Sequence, residues 1–89
     1  MNTETIEKTD SKLEKEEVKH VVLYNDDVNT FDHVINLLIK VCNHDSIQAE
    51  QCATLVHYKG KCSVKSGSFD ELKVISEILA DNGLTVEIN

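Results

Sequence analysis

A chain of 89 residues, 40% hydrophobic and 28% charged, has room for one small domain with a thin stability margin. Its net charge is -7 and all nine basic residues are lysines, which disfavours nucleic acid, a partner that wants a basic face and arginine forks. The same charge suits a cationic ligand or a basic partner surface, or only keeps the chain soluble.

Residues 1 to 18 hold six acids and three lysines and few apolar groups, the composition of a flexible tail. This stretch lacks the apolar core of a secretory signal and is too acidic for a transit peptide. No apolar run approaches the ~20 residues that cross a bilayer. The expectation is a cytoplasmic monomer without cofactor or metal, its core domain over residues 19–89.

His20 to Tyr24 is short, apolar and β-branched, which predicts a buried strand. Phe31, Val34, Ile35, Leu38, Val41 and Cys42 fall on one helical face, with Asn29 or Thr30 as the cap. Asn43 and His44 interrupt that pattern. Asp45 with Gln48 has capping-box spacing, and Ile47 to Tyr58 predicts a second helix. Its narrow face of Ala49, Cys52, Ala53 and Val56 suits close packing, and Gly60 can end it in the left-handed region. Lys61 to Lys65 alternates as a second strand. Ser68 and Glu71 open a third helix with the stripe Leu72, Ile75, Ile78 and Leu79, which Gly83 stops. Leu84, Val86 and Ile88 then alternate as a last strand. The order β-α-α-β-α-β predicts an α+β domain: a three-stranded antiparallel sheet with three helices packed on one face.

Three cysteines, Cys42, Cys52 and Cys62, with no C-x-x-C pair, disfavour a disulfide framework and a structural zinc. No nucleophile sits in a catalytic elbow or beside a base at a known spacing.

The unusual feature is Asn25, Asp26 and Asp27, between the first strand and the first helix. Adjacent carboxylates repel and need solvent or a cation nearby. Three readings stay open on chemistry alone: a solvated turn, a metal site drawing on His33, His44 or His57, and capture of a positive amine. His57, in LVHYKG, is either a histidine suited to a helix C-terminus or one side of a small site.

The runs VVLYNDD, FDHVINLL and LVHYKGK together resemble the ClpS family, adaptors that deliver N-degron substrates to the ClpAP or ClpCP protease. The resemblance spans about residues 19 to 89. It implies a fold similar to the C-terminal domain of the ribosomal stalk protein L7/L12, and an adaptor, not an enzyme. It implies that Asn25 and His57 hydrogen-bond the free α-amino group of a substrate's first residue, with Asp26 helping to hold that amine. It implies a side-chain pocket walled by Asn29, Phe31, Val34, Ala53, Val56 and Leu84, which takes Leu, Phe, Tyr or Trp. It also implies a Clp unfoldase of ClpA or ClpC type as partner, touched through its N-domain by Lys73. The sequence departs from the family pattern where Asn29 replaces threonine, Thr30 a common proline, and Phe31 and Ala53 methionines. The competing readings are a stalk-like interaction module without a pocket and a small metal-dependent hydrolase built on Asp26, Asp27 and His57.

Overall fold

Strand β1, Lys19–Tyr24, is the centre of the sheet. It pairs antiparallel with β2, Lys61–Gly67, on one side and β3, Thr85–Ile88, on the other. The computed structural model describes residues 17–89, so the tail expected over residues 1 to 18 lies outside the described residues but for Glu17 and Val18. A central strand gains ladder bonds on both edges, and the strand with the longest unbroken apolar run, Val21 to Tyr24, occupies that place. Val21 and Leu23 share the face turned to the helices and are almost fully buried. Val64, Val86 and Ile88 join them from the neighbouring strands.

The β1–β2 register shifts once. Val21 stands opposite Lys65 and Val22 opposite Ser63, so Val64 is an extra residue in β2. Such a bulge takes a residue out of the ladder. The Val64 carbonyl is met instead by His44 Nε2 at 2.7 Å, which explains a buried histidine between two helices. The alternation of Lys61 to Lys65 does not reveal this bulge. It also ends β2 too early, because pairing with Lys19 carries the strand on to Gly67.

Helix α1, Phe31–Cys42, begins at Thr30, whose hydroxyl accepts from His33 N at 3.1 Å. Asn43 closes it in the left-handed region, at φ 61°. Helix α2, Ser46–Lys59, begins at Asp45, whose carboxylate accepts from Gln48 N at 2.7 Å. Its small face of Ala49, Cys52, Ala53 and Val56 is buried as the pattern predicts. Gly60 ends it at φ 96°, a conformation that any side chain would strain. Helix α3, Phe69–Asp81, has the full capping box: Ser68 Oγ accepts from Glu71 N at 3.3 Å and Glu71 Oε1 from Ser68 N at 3.0 Å. Those bonds from Ser68 hold the Glu71 carboxyl below its usual pKa.

Leu38, Leu72 and Leu79 interlock over Val21 and Leu23 to make the core. Burying a side chain of this size contributes about 1.5–3 kcal/mol. The consequence for the site is mechanical. The end of β1, the start of α1 and the end of α2 are fixed around one small depression.

Candidate functional site

Asn25 is the first residue beyond β1, and its N–H donates to the Gly60 carbonyl at 2.9 Å. That bond ties the loop after β1 to the end of α2. Asp26 then folds the loop on itself. Its Oδ1 accepts from Val28 N at 2.9 Å and from Asn29 N at 3.0 Å, the turn that short acids favour. Asn29 Nδ2 donates to Asp26 Oδ2 at 2.9 Å and to the Gly83 carbonyl at 2.8 Å. Thr85 Oγ1 reaches Asp26 Oδ2 at 3.4 Å. Asp26 and Asn29 thus lace the loop to the α3–β3 turn. Burial alone would raise the Asp26 pKa, but the N–H groups of Asn29 and Val28, the Asn29 amide and the Thr85 hydroxyl outweigh it and hold the carboxyl below 3.8.

The loop, α1 and α2 enclose a cavity of about 280 Å³. All nine residues expected at the site line it: Asn25, Asp26, His57, Asn29, Phe31, Val34, Ala53, Val56 and Leu84. Leu23, Tyr24, Asp27 and Thr30 line it as well. Leu23 and Tyr24 were not expected there. The end of a strand that feeds a functional loop is the signal that points to them.

The cavity divides by chemistry. Leu23, Ala53, Val56 and Leu84 are buried and make an apolar floor. Phe31 is 45% exposed at the mouth, and its ring meets the His57 ring edge-on, centroids 5.9 Å apart. Asn25 and His57 stand on the polar side. Among the described residues, neither the Asn25 side-chain amide nor the His57 ring has a hydrogen-bond partner. Asp26 is committed to its turn, whereas the Asn25 and His57 side chains are not committed to any bond among the described residues. Asp26 and Asp27 add negative charge to the rim.

His33 and His44 are not drawn to the acids. His33 Nε2 lies 2.9 Å from the Asn82 carbonyl, and His44 holds Val64. No group of three metal-ligating side chains forms among the described residues. Lys73 lies on the exposed face of α3 and does not line the cavity. Within the described residues, no helix is long and apolar enough to cross a membrane.

This arrangement has relatives. The family described as ATP-dependent Clp protease adaptor protein ClpS matches residues 14–87. The ATP-dependent Clp protease adapter protein ClpS of Pectobacterium carotovorum is 38% identical over 73 residues, across 80% of this chain and 69% of that protein. The adapter of the same name from Thermosynechococcus vestitus is 37% identical over 67 residues, across 74% of this chain and 71% of its own. The structure of Agrobacterium tumefaciens ClpS2 bound to L-phenylalaninamide matches with a TM-score of 0.71 at 19% identity, covering 83% of this chain and 96% of that one. At that identity the likeness speaks for the fold alone, and it is the three-helix, three-strand order described above. The match along residues 14–87 and the identity to these adapters decide the matter: the chain belongs to the ClpS family of Clp protease adaptors, which are not enzymes.

Proposed function

We propose that the cavity reads the first residue of a substrate protein, and that the chain delivers that substrate to a Clp unfoldase. Asn25 and His57 hydrogen-bond the free α-amino group. Asp26 shapes the loop and, with Asp27, lends the negative potential that favours a cationic amine. The first side chain enters between Phe31, Val34, Ala53, Val56 and Leu84. Pockets for drug-sized ligands run from roughly 300 to 1,000 Å³. A cavity of about 280 Å³ suits one bulky side chain, and its apolar floor selects Leu, Phe, Tyr or Trp.

One observation carries this reading: two polar side chains without partners sit at the rim of an apolar pocket, beside two acids. The phenylalaninamide bound to Agrobacterium tumefaciens ClpS2, a first residue with its free amine, is in keeping with it. Delivery is the second half of the proposal. An unfoldase of ClpA or ClpC type docks through its N-domain on a face that includes Lys73, and residues 1 to 18 act on the unfoldase and not on the pocket.

The test is fluorescence anisotropy with two peptides that begin with Phe and differ only in a free or acetylated N-terminus. The free peptide binds, and acetylation removes the cation and a donor, with a loss of tenfold or more. Equal binding of the two would overturn amine reading, whatever the affinity.

A further inference from the structure

Beside the cavity wall, where α2 packs on β2, the structure brings two thiols together. Cys52 Sγ and Cys62 Sγ lie 2.6 Å apart, though the residues are 10 apart in the chain. The turn at Gly60 folds β2 back along α2 and makes them neighbours. Both sulfurs also face the Ser63 carbonyl, at 3.8 Å and 3.5 Å. Cys52 is 7% exposed, while Cys62, on an edge strand, is half-buried and open to a small reagent. Burial first, and the adjacent Cys62 thiol second, push the Cys52 thiol up to about 12, so Cys52 rests as a protonated thiol. Cys42 is the third free thiol, 2% exposed on α1.

We propose that Cys52 and Cys62 form a dithiol modification site that closes to a disulfide by exchange with a low-molecular-weight disulfide of the glutathione type. Cys62 loses its proton and attacks one sulfur of the reagent. The reagent's S–S bond breaks, one thiolate leaves, and a mixed disulfide remains on Cys62. Cys52 then gives its proton to solvent and attacks Cys62 Sγ, displacing the second thiolate. Two protein thiols lose two electrons in all, and the reagent takes them up as two thiols. The geometry favours the second step. The sulfurs start 2.6 Å apart and close to a bond of about 2.05 Å. Closure ties α2 to β2 at the junction where Gly60 receives Asn25 N, next to the pocket wall formed by Ala53, Val56 and His57. The odd cysteine count that disfavours a permanent framework is compatible with a reversible pair, because Cys42 stays buried and apart from reagent.

The experiment incubates the reduced full-length protein with glutathione disulfide and follows mass, free thiols after denaturation, and thermal midpoint. The expected product is lighter by two hydrogens, carries no glutathione, and titrates one thiol in place of three. A short loop closed in this way raises Tm by about 10 °C. Dithiothreitol reverses the changes. Cys42→Ser still closes, whereas Cys52→Ser and Cys62→Ser do not, and Cys52→Ser stops at the mixed disulfide on Cys62. A wild-type protein that keeps three thiols, or that accumulates glutathione adduct without closing, would overturn the proposal. So would loss of closure in Cys42→Ser. None of these readouts involves a peptide ligand, so they fail or succeed apart from the reading of the cavity.

Discussion

A histidine stands near each end of α2, and the two live in opposite surroundings. His44, just before the helix, is 6% exposed. Its Nε2–H donates to a carbonyl that the β2 bulge has removed from the ladder. A carbonyl only accepts, so Nε2 carries a proton, and Nδ1 is buried without a partner among the described residues. His57, in the last turn, is exposed, touches Phe31 and Tyr58 edge-on, and has no hydrogen bond among the described residues. A structural histidine answers a need of the fold. A histidine proposed to meet a ligand is held in place by packing and leaves its polar atoms unanswered. The same contrast runs through the loop, where Asp26 is committed and its neighbour Asn25 is not.

The largest effect tests the structural end. His44→Ala removes a buried ring and leaves the Val64 carbonyl without a donor. The expected cost is about 2–4 kcal/mol of stability, read from urea unfolding. Peptide affinity of the folded fraction stays at the wild-type level. A variant of normal stability would dissolve the comparison, because His44 would then answer no need.

The functional end should give the mirror image. His57→Ala and Asn25→Ala each remove a bond to a charged amine, worth about 1.5–3 kcal/mol, so affinity for a Phe-initiated peptide falls tenfold or more. Stability should move by no more than about 0.5 kcal/mol, the usual range for exposed positions. Anisotropy and urea unfolding on the same samples separate the two quantities. Normal binding by both variants would remove them from the amine site.

How much of this was legible in the sequence follows from which interactions are local. The order of elements, the small face of α2 and the Ser68–Glu71 cap depend on neighbours three or four positions away, so periodicity and capping residues display them. The members of the site came from resemblance, since spacing alone left turn, metal and amine readings open. The commitment of Asp26, the bulge at Val64 and the meeting of Cys52 with Cys62 depend on segments brought together only by the fold. An alternating strand pattern is silent about an extra residue in its ladder. The structure narrows the first ambiguity by showing Asp26 as the turn, with the Asn25 side chain left without a partner among the described residues.

Asp26 therefore belongs partly to each class, and Asp26→Asn sharpens the line between them. The amide oxygen can still accept from Val28 and Asn29, but the charge and the second acceptor are lost. The expected cost is about 1 kcal/mol of stability, modest because the bonds from Val28 and Asn29 to the retained oxygen survive. The pH dependence has a definite sign. The folded carboxyl ionises below 3.8, the ordinary aspartate value. Its contribution is therefore complete above that value and is lost as pH falls through the lower folded pKa. Wild type and Asp26→Asn should thus differ in stability at pH 6 and converge under strong acid. A difference that persists under strong acid would mean that the charge is not what the turn requires.

The smallest effect concerns selectivity at the mouth. Phe31 touches His57 edge-on and is 45% exposed, so its removal leaves the core intact. An aromatic first residue lying in the cavity would pack against that ring, a contact worth about 0.5–1.5 kcal/mol beyond area alone. Phe31→Ala should lower affinity for Phe, Tyr and Trp peptides by about two- to tenfold and for a Leu peptide by less. The ring is also stiff, and in the proposed binding mode it would narrow the entrance that a substrate's Cβ passes. A β-branched Ile or Val is widest at that atom, so wild type should bind such peptides poorly and Phe31→Ala should bind them better. Six peptides that differ only in the first residue, titrated against both proteins, give both results at once. If wild type binds Ile as well as Phe, Phe31 is not a gate. If removing the ring costs Leu as much as Phe, its contribution is to the shape of the His57 side of the pocket and not to the ligand.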